Sequence, residues 1–250
     1  MAFYHCLLFD VDGTLLDFHA SEDAAIRETL AYFSLPNDET AIEKYRTIND
    51  SLWAALERGE IRQEKLVVQR FASFLQEYGA DGDPVKINDH YLTTLSEHAE
   101  TFPGAADALK ELAEVATIAV VSNGVERVQS GRLERSGLGD MFDGIFISGR
   151  VGASKPSRRI FDYALDKLGV DNRAKVLVIG DSLKADIAGG NNAGLATCWC
   201  NFTNAELPEK GVKPTYTIQN YDELLHIVME EEELLNVGNP EKRHQFPIVQ

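Results

Sequence analysis

The stretch Cys6-Leu7-Leu8-Phe9-Asp10-Val11-Asp12-Gly13-Thr14 begins as an apolar run and ends in two carboxylates, a glycine and a threonine. The apolar run is typical of a fully buried strand. Asp10 and Asp12 stand two residues apart, so both project from one end of that strand. Gly13 lets the backbone turn sharply or approach a ligand. Buried paired acids are costly unless a cation or a proton offsets their charge, so the stretch predicts a functional site.

The composition limits the class of protein. The 250 residues are 44% hydrophobic and 26% charged, which suits one large α/β domain or a core with a smaller insert. The formal net charge of −16 argues against nucleic acid as a partner, because binding its backbone needs a basic surface. A small anionic substrate would need a local metal ion or lysine.

Cysteine usage and hydropathy indicate the cellular environment. The three cysteines, Cys6, Cys198 and Cys200, are too few and odd in number for a disulfide framework. Cys198-Trp199-Cys200 is interpreted as part of a strand rather than as a metal pair. We find no basic region followed by an apolar core at the N-terminus, and no apolar run approaches the ~18 residues of a membrane span. We therefore expect a cytoplasmic protein with no membrane partner.

The order of the predicted elements indicates the architecture. Residues 17–97 contain four helical segments and no strand, with Ser21 as a candidate N-cap of the first. Strands and helices then alternate, which predicts an α/β fold with a doubly wound, Rossmann-like parallel sheet. We expect a discontinuous core of residues 1–16 and 98–235, an all-helical cap of residues 17–97 inserted after the first strand, and a polar tail of residues 236–250.

Polar residues that could bind a ligand or take part in catalysis follow several predicted strands. Ligands of open parallel sheets bind beyond the carboxyl ends of the strands. The candidate groups there are Asp10 with Asp12, Ser122-Asn123, Lys155-Pro156, and Asp181 with Asp186. Each of these groups has a use if the substrate is a phosphate ester.

Three of the carboxylates suit metal-assisted phosphoryl transfer. Asp10 and Asp181 are predicted to converge on Mg²⁺, which prefers one or two carboxylates together with water and substrate phosphate. Asp10 would attack phosphorus and form an aspartyl-phosphate. Asp12 would protonate the leaving oxygen and then activate water. The alternative for Asp10 and Asp12 is a turn held by an Asx hydrogen bond.

The other groups suit binding of the phosphoryl oxygens. Backbone N–H groups at Ser122 and Asn123 are expected to bind an anion where a strand enters a helix, and Lys155 adds a compact positive charge. Asp186 would hold Lys155 or a metal-bound water in place. Lys155 could instead be a solvated surface lysine, and Asp186 with Ser182 could merely cap the following helix.

Four motifs in this order resemble the phosphatases of the haloacid dehalogenase superfamily. They are Asp10-Val11-Asp12-Gly13-Thr14, Ser122-Asn123-Gly124, Lys155-Pro156 and Gly180-Asp181-Ser182-Leu183-Lys184-Ala185-Asp186. The resemblance covers nearly all of the chain except the tail and implies a Mg²⁺-dependent enzyme, with Mn²⁺ able to substitute. It also implies that the backbone carbonyl of Asp12 binds the metal and that Thr14 assists phosphate binding. The helical insert is similar to the family's first type of cap.

The cap is similar to that of the bacterial pyrimidine 5′-nucleotidase branch. The resemblance rests on Ile48-Asn49-Asp50-Ser51-Leu52-Trp53, Gly59-Glu60-Ile61 and Arg70-Phe71, among others. Asn49 and Trp53 lie four apart on one helix face, so they could read and stack on a base. Arg70 could meet a ribose or base oxygen. The alternatives are that Trp53 and Asn49 pack or bridge the cap helices and that Arg70 pairs with a cap glutamate.

The resemblance implies a phosphomonoesterase that acts on pyrimidine nucleoside 5′-monophosphates. A sugar-phosphate or phosphoglycolate phosphatase on the same core is the main alternative. A dehalogenase is disfavoured because Asp12 and Asp181 have no use in that chemistry, and a non-catalytic phosphate-binding module is disfavoured by the complete set of reactive groups. The sequence leaves the oligomeric state open.

Overall fold

The structure, a computed structural model, describes residues 3–229. Its strands are β1 (Cys6–Phe9), β2 (Thr117–Ser122), β3 (Gly144–Ile147), β4 (Val176–Gly180), β5 (Ala196–Cys200) and β6 (Tyr216–Ile218). They form one all-parallel sheet in the order β3-β2-β1-β4-β5-β6. The predicted parallel α/β fold is therefore confirmed.

Helices connect and cover these strands. They are α1 (Phe18–Tyr32), α2 (Glu39–Glu57), α3 (Gln63–Tyr78), α4 (Pro84–Glu97), α5 (Ala105–Ala113), α6 (Glu126–Arg135), α7 (Ser148–Val151), α8 (Arg158–Leu168), α9 (Ala188–Asn192) and α10 (Tyr221–Met229). A π-helical turn, Leu183–Ile187, leads directly into α9. The predicted extension of the last helix to residue 235 and the polar tail of residues 236–250 lie outside the described residues.

The strand side chains alternate between two apolar layers. Leu7 and Phe9 of β1 belong to the layer covered by α5 and α10, whereas Cys6 and Leu8 belong to the opposite layer, covered by α8. All four side chains are buried. Burial on both faces explains why the strand is a continuous apolar run rather than an alternating one.

Strand β1 lies at the centre of the sheet, between β2 and β4. Phe9 pairs with Val120 of β2 and with Ile179 of β4. The residues that follow β1 therefore lie between the carboxyl ends of β2 and β4. This register brings distant parts of the sequence to one edge of the sheet.

Helices α1–α4 share an apolar cluster of their own. Its aromatic members include Tyr45, Phe71, Phe74 and Tyr91. Helix α6 contributes the buried Val128 to the same cluster. Two chain segments connect this helical bundle to the sheet, one before α1 and one after α4. They lie side by side, because Leu16 forms an antiparallel bridge with Thr101. We propose on this basis that residues 17–97 are a cap domain on a core that comprises, among the described residues, 3–16 and 98–229.

The start of α1 differs from the prediction. The N-cap is Asp17, whose carboxylate accepts a hydrogen bond from the N–H of Ala20 at 3.0 Å. Ser21 is a buried residue inside the helix, and its hydroxyl donates to the Asp17 carbonyl at 2.8 Å. The prediction of Ser21 as N-cap is wrong because the carboxylate of Asp17, four residues earlier, already accepts from a free N–H group of the first turn.

Across residues 3–229, the helices lack the combination of length and apolar character that crossing a bilayer requires.

Candidate active site

Asp10 leaves the central strand at the edge where the predicted groups were expected to meet. Its N–H donates to the carbonyl of Ile179 at 2.8 Å, which continues the β1–β4 pairing by one residue. The side chain is buried at 9% exposure. The β-sheet pairing therefore fixes the backbone of Asp10 beside the end of β4, where Asp181 follows.

Lys155 is a buried lysine rather than a solvated one. Its Nζ lies 2.6 Å from Oδ1 of Asp10 and 2.6 Å from Oδ1 of Asp186, and it donates to the carbonyl of Val121 at 2.8 Å. Although burial acts to lower it, the two carboxylates hold the pKa of Lys155 above its ordinary value. The ammonium is therefore a fixed positive charge between two acids.

Asn123 positions the backbone of Lys155. Its side-chain Oδ1 accepts from the Lys155 N–H at 2.8 Å, and its Nδ2 donates to the Lys155 carbonyl at 2.9 Å. The carbonyl of Asn123 in turn accepts from Gln63 of α3 at 2.7 Å. This paired contact links the end of β2 to the lysine loop, a role for the Asn123 side chain that the sequence did not predict.

Three carboxylates converge beside the lysine. Oxygens of Asp10, Asp181 and Asp186 all lie within 4.8 Å of one another. Burial raises the pKa of Asp10, against the effect of Lys155. Burial, with Asp10 and Asp186 adding to it, raises the pKa of Asp181 well above its ordinary value. The site concentrates more negative charge than its one lysine neutralises.

Two glycines make this convergence sterically possible. A Cβ on Gly13 would overlap the carboxylate of Asp181, and a Cβ on Gly180 would overlap that of Asp186. Gly13 also has φ +75°, in the left-handed region that favours glycine. The carbonyl of Asp181 accepts from Nε1 of Trp199 on β5 at 2.7 Å, which anchors the loop from the opposite side.

Asp12 faces a different set of partners. Its carboxylate forms an ion pair with Arg132 and accepts from Nε2 of Gln129 at 2.6 Å. Arg132 is fully buried and also donates to the His98 carbonyl at 2.9 Å and to the hydroxyl of Ser21 at 3.1 Å. Two side chains of α6 therefore fix the orientation of Asp12, and Arg132 connects it to both ends of the cap.

Arg132 and Gln129 were not among the site residues predicted from the sequence. Both lie on the buried face of α6 together with Val128 and Leu133. A charged and an amide side chain on an apolar helix face are the signal that could have identified them, because buried polar groups need partners.

The remaining predicted phosphate-binding residues are buried near these acids. The Ser122 hydroxyl accepts from the N–H of Gly124 at 3.0 Å and from Gln129 at 2.9 Å. Thr14 is fully buried, and its hydroxyl has no hydrogen-bond partner among residues 3–229. The Thr14 carbonyl accepts from the Tyr221 hydroxyl, so the backbone is held while the side-chain hydroxyl stays available.

A cleft of about 290 Å³ opens above the acids and is lined by both the sheet edge and the cap. Asp10, Asp12 and Lys155 line its floor. The residues of the cap that line it are Phe18, His19, Glu22, Asn49, Asp50, Trp53 and Glu57. This volume lies just below the roughly 300–1,000 Å³ typical of ligand pockets.

The predicted cap residues occupy two different positions. Asn49 and Trp53 line the cleft, as the prediction of substrate contact requires. Arg70 lies behind Asn49, with 3% exposure, and is not among the residues that line this cleft. Its guanidinium donates to Asn49 and to Asn88 and lies 4.5 Å from the ring centroid of Tyr91. In this arrangement Arg70 contacts the cap interior and lines a small pocket that shares Phe18 and Trp53 with the cleft.

The fold and the site define an α/β protein with a cluster of carboxylates and a buried lysine at the carboxyl edge of a parallel sheet. The family model of the haloacid dehalogenase-like hydrolases matches residues 4–194. The chain belongs to this family and is a hydrolase.

Similar proteins cover almost the whole chain. It is 36% identical to the pyrimidine 5′-nucleotidase YjjG of Escherichia coli, over 87% of this chain and 95% of that protein. It is also 36% identical to the pyrimidine 5′-nucleotidase PynA of Streptococcus pneumoniae, over 89% and 94%. A magnesium-bound crystal structure of the HAD-hydrolase YfnB of Bacillus subtilis is 38% identical, covers 90% of this chain and 99% of that one, and superposes with a TM-score of 0.84.

Proposed function

We propose that the protein is a Mg²⁺-dependent phosphomonoester hydrolase that removes the phosphate from pyrimidine nucleoside 5′-monophosphates. The main observation behind this proposal is that the side chains of Asp10, Asp181, Asp186 and Lys155 meet at the carboxyl ends of the parallel strands. Two similar proteins named pyrimidine 5′-nucleotidases support the substrate class.

The carboxylate cluster fits a hard divalent cation. Its donors are oxygen atoms, the Asp181 carboxylate is accessible to solvent while Asp186 is buried, and the absence of a Cβ at Gly13 admits the Asp181 carboxylate to the site. Asp10, Asp181 and the backbone carbonyl of Asp12 would hold Mg²⁺, with Mn²⁺ as a substitute. When bound, the ion neutralises the clustered charge and withdraws electron density from phosphorus.

Asp10 is the proposed nucleophile. One of its oxygens faces Lys155, which fixes the carboxylate at the strand end and provides positive charge for the phosphoryl group. Attack on phosphorus forms an aspartyl-phosphate and releases the nucleoside oxygen. Hydroxyls of Thr14 and Ser122 and the backbone around Asn123 would bind the phosphoryl oxygens.

Asp12 and Asp186 are proposed to support the two steps. Asp12 lines the same cleft as Asp10 and would donate a proton to the leaving oxygen, then accept one from water in the hydrolysis of the intermediate. Asp186 contacts Lys155 through Oδ1 and accepts from the Ser182 N–H through Oδ2 at 3.0 Å. With both oxygens engaged, Asp186 serves to position the lysine.

The charge of the cleft favours a leaving group without an anionic substituent. The cap contributes the acids Glu22, Asp50 and Glu57, while Lys155 is the one lysine or arginine among the lining residues of the described chain. A phosphoglycolate carboxylate would face these acids without a cationic partner, and the same holds for the carboxylate of a haloacid. A neutral nucleoside or sugar avoids this repulsion, and the Trp53 ring offers a surface on which a base can stack.

A panel of phosphomonoesters tests the proposal. With Mg²⁺ present, UMP, dUMP and dTMP should give higher kcat/KM values than purine nucleotides, hexose phosphates and phosphoglycolate. A preference for phosphoglycolate or a hexose phosphate would overturn the nucleotidase assignment, and absence of phosphatase activity on the whole panel would overturn the enzyme assignment.

A further inference from the structure

Glu22 is a buried acid in the cap wall of the cleft. It lies on α1, on the same helix face as the buried Ala25 and Ile26, and is 3% exposed. Its Oε1 accepts from Nδ2 of Asn49 at 2.9 Å, and no hydrogen bond to its Oε2 occurs within residues 3–229. An acid this deeply buried needs further donors, and the side chain lines the cleft.

Arg70 fixes which way the Asn49 amide faces. Its NH1 donates to Oδ1 of Asn49 at 3.2 Å, and a guanidinium only donates hydrogen bonds. The amide oxygen must therefore face Arg70, and the NH₂ group must face Glu22. That NH₂ carries two N–H bonds, one of which is used by Glu22.

Both side chains line the cleft, and each keeps one hydrogen-bonding group for a ligand. The acceptor is Oε2 of Glu22, and the donor is the second N–H of Asn49. Burial raises the pKa of Glu22 to about 7, with Arg70 acting against the rise and Asp50 adding to it. A substrate N–H would supply the donor that stabilises the carboxylate in this site.

We propose that Glu22 and Asn49 recognise the imide edge of a uracil or thymine base, with Arg70 as the positioning residue. The base N3–H donates to Oε2 of Glu22, and an adjacent base carbonyl accepts from Nδ2 of Asn49. This rests on the proposed function and adds the residues that determine its base specificity.

With Glu22 ionised, above its pKa of about 7, the arrangement also rejects cytosine. The N3 atom of cytosine is an acceptor and would face the acceptor oxygen of Glu22, which leaves both groups unpaired in a desolvated site. Sites that hydrogen-bond a substrate N–H discriminate strongly against an analogue that lacks it, because their own buried polar groups lose their partner.

The first test uses the wild-type enzyme and the analogue 3-methyluridine 5′-monophosphate, in which a methyl group replaces the N3 hydrogen. At pH 8, where Glu22 is ionised, we expect kcat/KM for UMP to exceed that for the analogue and for CMP by on the order of 100-fold. Equal values for UMP and the analogue would overturn the proposal without any substitution in the protein.

The second test uses Glu22→Gln. Its amide oxygen can keep the contact with Asn49, which turns its NH₂ group towards the base. The UMP-to-CMP ratio of kcat/KM should therefore fall by on the order of 100-fold, and the discrimination between UMP and the methylated analogue should vanish. The matched control is Glu43→Gln, an exposed glutamate on α2, which should leave both ratios unchanged.

The outcomes separate this proposal from the one on which it rests. If UMP is hydrolysed well but Glu22→Gln keeps the wild-type ratios, recognition by Glu22 is refuted and the nucleotidase function stands. If the wild-type enzyme hydrolyses other phosphomonoesters and no nucleotide, both proposals fail together.

Discussion

The buried carboxyl of Glu22 should impose a measurable pH dependence on stability. Its pKa in the folded chain is about 7, against an ordinary value of 4.5, and burial is the largest cause. Between these two values the folded state binds one proton more than the unfolded state, so the free energy of unfolding falls as the pH rises. Each pH unit in this interval costs ~1.4 kcal/mol, and the whole interval costs about 3 kcal/mol.

Replacement of Glu22 by glutamine removes this titration and leaves all other groups in place. The variant should therefore gain stability relative to the wild type as the pH rises. The expected gain between pH 5 and pH 8 is roughly 2 kcal/mol or more, since part of the interval lies below pH 5. The contribution is fully present below the unfolded value of 4.5 and is lost as the pH passes about 7.

Urea unfolding at pH 5, 6, 7 and 8 measures this difference, followed by circular dichroism and tryptophan fluorescence with coincident transitions. The exposed Glu43 supplies the control, because Glu43→Gln should give a curve parallel to that of the wild type. Parallel curves for Glu22→Gln and wild type would refute the conclusion that burial controls the ionisation of Glu22.

Three further predictions concern the catalytic edge of the sheet. Gly13→Ala should lower kcat by at least ~100-fold, because the added Cβ would overlap the Asp181 carboxylate. The control is Gly59→Ala, which has a similar φ of +74° but nothing within 4 Å of the added Cβ, and it should retain the wild-type kcat. Equal effects of the two substitutions would show that backbone strain alone is responsible. Arg132→Lys keeps the charge, but lysine cannot make all the contacts of Arg132 to Asp12, the cap and the carbonyl of residue 98. The value of kcat should therefore fall roughly tenfold with an unchanged circular dichroism spectrum. An unaltered kcat would show that Arg132 has no role in catalysis. Chelation by EDTA should abolish phosphate release and added Mg²⁺ should restore it, whereas full activity after exhaustive chelation would eliminate the metal.

The sheet could be predicted because its signals are local. Strand β1 is a run of four apolar residues, and the groups after β1, β2 and β4 follow the strand ends directly. The parallel order then brings Asp10 beside Asp181, although their residue numbers differ by 171. Pattern and topology were sufficient here because main-chain pairing determines where the residues lie.

The partners of these residues could not be predicted in the same way. Asp12 meets Arg132, and Glu22 meets Asn49, through side chains whose packing depends on how α6 and the cap helices lie against the sheet. Helical spacing shows which face is buried but not which group on another helix faces it. Arg70 illustrates the limit, since its position on α3 was compatible with the cleft and the structure places it one side chain behind.

Local capping was also ambiguous from sequence. Asp17 and Ser21 are both good N-cap residues. Which of them begins α1 depends on where the chain segment that pairs with Thr101 ends. The N–H of Asp17 donates to the Glu100 carbonyl at 2.8 Å. The paired connecting segment therefore ends at Asp17, and the helix begins there. A contact from the other side of the cap therefore determined the boundary.

The central claim is that Asp10 accepts the phosphoryl group. The direct measurement is an acid quench of the enzyme during turnover of UMP with Mg²⁺, followed by mass spectrometry of the peptides. The account predicts a phosphoryl group on Asp10, and none after chelation or in Asp10→Asn. Phosphate release with no phosphorylated peptide, or with the label on another residue, would contradict it.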